Sequence, residues 1–154
     1  GDLHQPLHAA SLYSPAFPEG DRHGTRFFVR PPHGDDAVSL HYFWDSAVQR
    51  SQQMTEVLRT ATHLQSLYPR ETLDELQQRP YLDTRSPRRW ILEESHRLAI
   101  TSAYRDGQLA GGADWRSAVR LSEAYAAAAQ GIAARRMALS ALRLAAVLRA
   151  IFLR

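Results

Sequence analysis

The sequence of 154 residues has no cysteine and no lysine, and these two absences narrow its chemistry. Without cysteine the chain forms no disulfide bond and offers no thiolate ligand to a metal ion. Any metal must therefore be bound by histidine and carboxylate side chains, of which there are 7 and 16. All 19 basic residues are arginine, and the formal net charge is only +3. A charge of this size does not by itself indicate a partner.

A long uninterrupted hydrophobic run is also missing. The longest apolar stretch, residues 132–153, contains four arginines, which excludes an ordinary membrane-spanning helix. Six arginines and one acid lie between residues 118 and 154. Such a basic segment would attract nucleic acid phosphates, although a solvated helix face is the plainer interpretation.

The apolar pattern predicts one mainly helical domain over residues 1–154. The predicted helices cover the end of a helix at residues 1–12, a metal-bearing helix at 40–50, and helices at 54–67, 71–78, 86–104, 118–130 and 132–152. Ser86 and Pro87 are predicted to be the N-cap and the first residue of the helix at 86–104. Gly131 is predicted to separate the helix at 118–130 from the helix at 132–152. A short β-hairpin is predicted from residues 26–30 and 37–39, between His8 and His41.

Two packing expectations follow from helical spacing. In the predicted helix at residues 40–50, Trp44 is expected to pack into the core. In the last helix, Arg136 and Arg143 are seven residues apart and are expected on an outer face. The inward face of that helix is assigned to four apolar residues: Leu144, Leu148, Ile151 and Phe152.

His41 and Asp45 are the first candidate metal ligands. They are four residues apart in a predicted helix, so that the imidazole and the carboxylate lie on the same face. Zinc accepts both groups and usually takes four ligands in a tetrahedron. The plainer alternative is a histidine and an aspartate that only form a hydrogen bond with each other.

A second group of candidate ligands lies in the first eight residues. Asp2, His4 and His8 are close together, with Pro6 between the two histidines. Spacing alone pairs His4 with His8. Proline removes a backbone donor and disturbs the preceding turn, so this pairing stays open.

Together the two motifs resemble those of a known family. G-D-L-H-Q-P-L-H, then D-R-H-G-T and then L-H-Y-F-W-D occur in the order found in the S1/P1 nucleases, the zinc-dependent, single-strand-preferring nucleases of fungi, plants and bacteria. A later segment with Trp90, Glu94, Ser95 and Tyr104 is similar to a helix of that family. The likeness covers nearly the whole chain, but only the C-terminal portion of the family's domain. The resemblance to this family implies an all-α fold, the mainly helical fold that zinc nucleases share with phospholipase C.

The resemblance implies a cluster of three zinc ions. Asp2 matches the carboxylate that bridges two of them, and His8, His41 and Asp45 match the protein ligands of the third. His4 falls on a position that is not a ligand. The family's other ligands, an N-terminal Trp, a His, an Asp and two further His, have no counterpart here. We therefore expect a fragment with no complete catalytic site, and an exported enzyme that is secreted or periplasmic.

The loop between the motifs departs from the family pattern. The family's D-R-G-G-N becomes D-R-H-G-T here, so that His23 replaces a glycine and Thr25 an asparagine. Asp21, Gly24 and Thr25 are the candidate substrate-binding residues. Thr25 cannot reproduce the paired donor and acceptor of an asparagine amide. His23 either adopts the conformation that glycine favours or is an exposed histidine without consequence.

The resemblance implies a zinc-dependent endonuclease that hydrolyses single-stranded DNA and RNA to 5′-nucleotides. A phospholipase C with a similar zinc cluster belongs to the same class, but the motifs favour the nuclease. The alternative from another class is a non-catalytic helical metal-binding or interaction fragment. A basic nucleic-acid binder without metal is a third reading.

Overall fold

A computed structural model of the chain describes residues 1–48, 51–77 and 88–153. The described part is mainly helical with one small sheet, as the sequence predicts. The predicted helix start at Ser86 and Pro87 lies outside the described residues, as do the predicted ends at Arg50 and Gln78. No helix within the described ranges is long and apolar enough to cross a membrane.

Within the described ranges, five helices follow one another. The first three are α1 (Leu40–Asp45), α2 (Met54–Leu67) and α3 (Asp74–Gln77). Helix α4 consists of three consecutive segments, Trp90–Ser95, His96–Leu98 and Ala99–Ala103, of which the first and last are π-helical. Helix α5 spans Glu123–Phe152. Three short 3-10 turns complete the set: Asp2–His4, Pro6–Ala9 and Arg70–Thr72.

Serine caps fix the starts of the two helices that flank the site. The Ser39 hydroxyl accepts a hydrogen bond from the Tyr42 N–H at 3.1 Å. The Ser122 hydroxyl does the same for the Tyr125 N–H, also at 3.1 Å. Such caps satisfy backbone donors that have no partner inside the helix, so α1 and α5 begin at defined residues.

Several helix boundaries predicted from the sequence are wrong, among them the end of α1, which stops at Asp45 and is followed by a turn instead of continuing toward residue 50. Helix α5 continues through Gly131 for 30 residues, because one glycine costs only about 1 kcal/mol in a helix interior and the surrounding alanines favour the helix. The predicted helical start at residue 118 is instead strand β3 (Val119–Arg120). The first residues also form 3-10 turns rather than a helix end, with Pro6 beginning the second turn.

The sheet has three strands, β1 (Phe28–Arg30), β2 (Val38–Ser39) and β3, in the spatial order β2-β1-β3. Strand β1 pairs antiparallel with β2, which confirms the predicted hairpin. Strand β3 pairs parallel with β1, with Val119 opposite Val29. The hairpin returns the chain directly to α1, so that the segment carrying His41 starts beside the segment carrying His8.

The main core lies between the N-terminal turns, the sheet, α1, α4 and the start of α5. Leu7 and Leu40 are fully buried in it, and each directly precedes a candidate ligand. Trp44 is also buried, as predicted, and its indole N–H donates to the Tyr125 hydroxyl at 3.0 Å. Burial of these neighbours fixes the backbone that carries His8 and His41.

The predicted faces of α5 are reversed. Arg136 and Arg143 are each only 3% exposed, whereas all four residues assigned to the core are exposed: Leu144, Leu148, Ile151 and Phe152. The buried stripe of the helix includes Arg136, Leu139, Arg143 and Ala146. This side of α5 is stable because Glu94 of α4 compensates both guanidinium groups, and that partner is remote in sequence.

Candidate metal centre

His8, His41 and Asp45 meet at one point on the surface. His8 belongs to the turn Pro6–Ala9, and the other two lie one turn apart in α1. One donor atom from each residue lies within 4.8 Å of the other two. His41 Nε2 is 3.3 Å from Asp45 Oδ2, and His8 Nε2 is 4.0 Å from Asp45 Oδ1. The two imidazole rings are stacked with their centroids 5.0 Å apart.

These residues fit the requirements of zinc. A tetrahedral zinc with bonds of about 2.0–2.1 Å holds its ligand atoms roughly 3.3 Å apart. The His41 nitrogen already lies 3.3 Å from one Asp45 oxygen, and the His8 nitrogen lies 4.0 Å from the other oxygen of the same carboxylate. The Asp45 side chain is 46% exposed, so the centre is open to solvent on one side. Three protein ligands and an open position are the usual composition of a catalytic zinc site.

A backbone carbonyl fixes the orientation of the His41 ring. His41 Nδ1 lies 2.8 Å from the His23 carbonyl oxygen. Since a carbonyl only accepts, Nδ1 carries the proton and donates it. The lone pair of the neutral ring is then on Nε2, the atom that faces Asp45. Ligating histidines typically hold their second nitrogen in this way.

Gln5 orients the carboxylate of the centre, and sequence reasoning missed it. Its Nε2 donates to Asp45 Oδ1 at 3.0 Å, and its Oε1 accepts from the Leu7 N–H. Gln5 therefore connects the turn carrying His8 to the end of α1. The available signal was its place inside the G-D-L-H-Q-P-L-H motif, but an amide is not a usual zinc ligand.

Asp2 is close to the centre without joining the group of three. It lines an open cavity of about 230 Å³ together with His8, Asp45 and Arg136. The three-residue group that could hold a metal does not contain Asp2. The structure thus places the candidate bridging carboxylate at the same cavity, beside the complete three-residue group.

The pairing of His4 with His8, which spacing alone suggests, does not occur. The His4 side chain is buried, and Arg143 Nη1 donates to its Nε2 at 2.9 Å. Burial lowers the pKa of His4 to about 3, with the positive charges of Arg136 and Arg143 adding to the effect. His4 is therefore a neutral core residue.

Asp21 is a structural residue rather than a surface group. Its side chain has no exposed area. Oδ1 accepts from the Leu12 N–H at 3.0 Å, and Oδ2 accepts from the Tyr104 hydroxyl at 2.7 Å. Burial and this bond to Asp21 raise the pKa of Tyr104. The expected contact between Asp21 and substrate does not fit this complete burial.

The other two loop candidates hold the loop against α1. Gly24 has a φ of +81°, and a Cβ there would lie 3.1 Å from Leu7 Cδ1 and 3.2 Å from the His41 nitrogen. Its carbonyl accepts from the His41 N–H at 3.2 Å. The Thr25 hydroxyl donates to the Arg22 carbonyl at 2.8 Å. Both residues shape the approach of the loop to the metal centre.

A second charged group lies behind the centre. We call Glu94, Arg136 and Arg143 the buried ion cluster. Glu94 Oε2 accepts from Arg136 at 2.5 Å and from Arg143 at 2.8 Å, while Oε1 accepts from Arg143 at 2.8 Å. Burial alone would raise the pKa of Glu94, but the hydrogen bonds from both arginines outweigh it and hold the pKa below its usual value.

The buried ion cluster fixes the N-terminal turn. Arg136 Nε donates to the His4 carbonyl at 3.1 Å, and the Ser95 hydroxyl donates to the Leu3 carbonyl at 2.5 Å. Both carbonyls lie between Asp2 and His8. Helices α4 and α5 therefore hold the backbone between Asp2 and His8 in place. The sequence did not predict this arrangement.

Comparison with known proteins defines the class. Residues 1–153 match the family model described as S1/P1 Nuclease. The chain therefore belongs to the S1/P1 nuclease family, and its residues 1–153 include the complete His8, His41 and Asp45 group. No curated protein and no solved structure gives a significant match.

Proposed function

We propose that the protein is a zinc-dependent endonuclease that hydrolyses phosphodiester bonds of single-stranded DNA and RNA to 5′-nucleotides. One observation carries the proposal. His8, His41 and Asp45 converge within 4.8 Å on a chain that belongs to a nuclease family. The proposal concerns the whole enzyme of which these residues are part.

Each residue of the centre has a proposed role. His8, His41 and Asp45 would hold one zinc ion, and Asp2 would provide a carboxylate ligand for further zinc ions. Zinc bound in such a centre lowers the pKa of a bound water and neutralises charge on phosphate oxygens during in-line displacement. The open cavity beside Asp2 and Asp45 gives a phosphodiester access to the ligands.

The surrounding residues keep the ligands ready for binding. The His23 carbonyl holds the proton of His41 on Nδ1, so that Nε2 is free to bind a metal. Gln5 fixes one carboxylate oxygen of Asp45 by a hydrogen bond of 3.0 Å. Preorganised ligands of this kind reduce the ordering that metal binding requires.

We also propose that the enzyme is exported, since members of this family are typically secreted. Fractionation of the source cells, followed by detection with an antibody to the chain, tests this point. Signal confined to the cytoplasmic fraction would contradict it.

The test of activity uses the gene product that contains these residues, expressed whole. It is incubated with labelled single-stranded and double-stranded oligonucleotides, after treatment with a chelator and after zinc is restored. We expect zinc-dependent cleavage of the single strands with 5′-phosphate products. His41→Ala should abolish cleavage, whereas His63→Ala, an exposed histidine on α2, should leave it unchanged.

Absence of cleavage under all conditions would contradict the nuclease. A protein that binds zinc and cleaves nothing would favour the non-catalytic metal-binding alternative. Cleavage that survives both the chelator and His41→Ala would show that the proposed centre is not responsible.

A further inference from the structure

The loop that joins the two ligand-bearing segments contains an unusual turn. Arg22, His23 and Gly24 are consecutive and all have positive φ, at 52°, 60° and 81°. Glycine adopts this region freely, whereas residues with a Cβ are strained there. His23 therefore occupies a costly backbone conformation at the position where the family motif has glycine. Strain of this kind persists only where surrounding contacts enforce it.

The His23 ring contacts the segment that carries His8. Its Nδ1 lies 3.2 Å from the Leu7 carbonyl oxygen and 3.1 Å from the Ala10 carbonyl oxygen. Both partners are acceptors, so Nδ1 must carry a proton that the two carbonyls share. The His23 backbone N–H also donates to the Ser11 hydroxyl at 2.9 Å. These contacts lie on both sides of His8 in the chain.

The main chain of the same residue contacts the other segment. The His23 carbonyl accepts the proton of His41 Nδ1 at 2.8 Å. One residue thus holds the backbone around His8 through its ring and the ring of His41 through its carbonyl. The two ligand rings remain parallel, 5.0 Å apart with 13° between their planes.

We propose that the His23 imidazole is a positioning residue that sets the separation and mutual orientation of His8 and His41, and thereby the affinity and geometry of the metal centre. The inference rests on the proposed metal centre and deepens it. Glycine at this position would supply the same carbonyl to His41. It would have no ring to fix the turn Pro6–Ala9. The contact to the His8 segment is therefore a property of this chain's own histidine.

The test compares two substitutions of His23. His23→Gly removes the ring donor and relieves the backbone strain. His23→Asn keeps a hydrogen-bond donor, because the asparagine Nδ2 is separated from the backbone by the same number of bonds as the histidine Nδ1. Asparagine also tolerates positive φ. Arg22→Gly is the matched control, since it makes the same backbone change at the neighbouring residue and leaves His23 in place.

Three quantities are measured on each variant: zinc affinity by competition titration, the d–d absorption spectrum after Co²⁺ loading, and the unfolding midpoint. For His23→Gly we expect zinc affinity to fall by about 10–100-fold, as for other residues that orient metal ligands, with a changed cobalt spectrum. His23→Asn should restore both to near wild type. Arg22→Gly should change neither. A merely structural role would shift the unfolding midpoint without altering the cobalt spectrum.

Any of three results would overturn the inference alone. Wild-type affinity and an unchanged spectrum in His23→Gly would show that the ring does not position the ligands. Equal losses in His23→Gly and His23→Asn would show that the shared proton is not the cause. If His23→Gly does not fold, a His23→Asn spectrum unlike wild type overturns the inference, and a matching one supports it. A wild-type protein that binds neither zinc nor cobalt would overturn the metal centre itself, and this inference with it.

Discussion

Two groups of ionisable residues meet the N-terminal turns and are used in opposite ways. The metal centre joins His8, His41 and Asp45 at the surface, with ligand atoms 3.3 to 4.0 Å apart. The buried ion cluster joins Glu94, Arg136 and Arg143 in the interior, where the two guanidinium groups donate to both Glu94 oxygens. One group keeps lone pairs available to a ligand, whereas the other uses its charges internally.

The difference shows that burial and partners decide what a charged residue does. A buried charge is tolerated only when it is paired and hydrogen-bonded. The buried ion cluster meets this condition and serves as a support for the N-terminal turn. The candidate metal centre has an exposed Asp45 carboxylate, and one nitrogen of each histidine lies within 4.8 Å of a carboxylate oxygen and of the other nitrogen. Its three donor groups are close enough together to hold one metal ion.

The largest effect is expected from Glu94→Gln. The substitution keeps the shape of the side chain but leaves two buried guanidinium groups without a counter-charge. Removal of one partner from a buried ion pair costs about 3–5 kcal/mol. The free energy of unfolding, measured by chemical denaturation, should fall by this amount. Glu93→Gln is the control, because Glu93 forms an exposed pair with Arg89, and such pairs contribute about 0–1 kcal/mol.

The pH dependence of the same variant provides a second check. The pKa of Glu94 in the folded protein lies below its ordinary value of 4.5. Its contribution to stability is therefore complete above pH 4.5 and is lost as the pH falls through the folded pKa. The stability difference between wild type and Glu94→Gln should narrow in that acidic range. A difference that stays constant would show that the carboxylate charge is not what stabilises the cluster.

A smaller effect is expected from Gln5→Ala. Loss of the amide removes the hydrogen bond to Asp45 Oδ1 without removing a metal ligand. Zinc affinity, measured by competition titration, should fall by about 10–100-fold. Gln5→Glu should lower the zinc affinity further than Gln5→Ala does, because its carboxylate would repel the carboxylate of Asp45. An unchanged affinity in Gln5→Ala would mean that Asp45 is oriented by other contacts.

The smallest effect is expected from Gly131→Ala in α5. A Cβ at this position meets nothing within 4 Å, and alanine is better than glycine in a helix interior by about 1 kcal/mol. Thermal unfolding should show a protein that is more stable by that amount, with unchanged zinc affinity. A destabilised variant would contradict the continuous helix.

Local patterns in the sequence predicted the parts of the fold that short segments determine. The β-branched and aromatic residues around Val29, with a turn before Val38, predicted the hairpin. The resemblance of the two motifs to a known family indicated the three residues that the structure brings together. The chain departed from prediction where a distant partner decides the outcome. Arg136 and Arg143 are buried because Glu94 lies opposite them, and no spacing within α5 indicates this.

Distant partners also explain why two residues near the site, Asp21 and His4, do not have the roles that sequence patterns suggest for them. Asp21 was expected at the substrate, but Tyr104 and the Leu12 backbone satisfy its carboxylate in the interior. His4 was a possible ligand by spacing, but Arg143 lies against its ring. Tyr104 and Arg143 are far from these two residues in sequence, so only the folded structure shows that the polar groups belong to the core.

The most direct test of the central claim is the zinc content and affinity of the purified, chelator-treated chain. Zinc is titrated into wild type, into His41→Ala and into His63→Ala, which alters an exposed histidine on α2. The account predicts one tightly bound zinc per chain at His8, His41 and Asp45, lost in His41→Ala and retained in His63→Ala. No tight binding by wild type, or equal binding by wild type and His41→Ala, would contradict it.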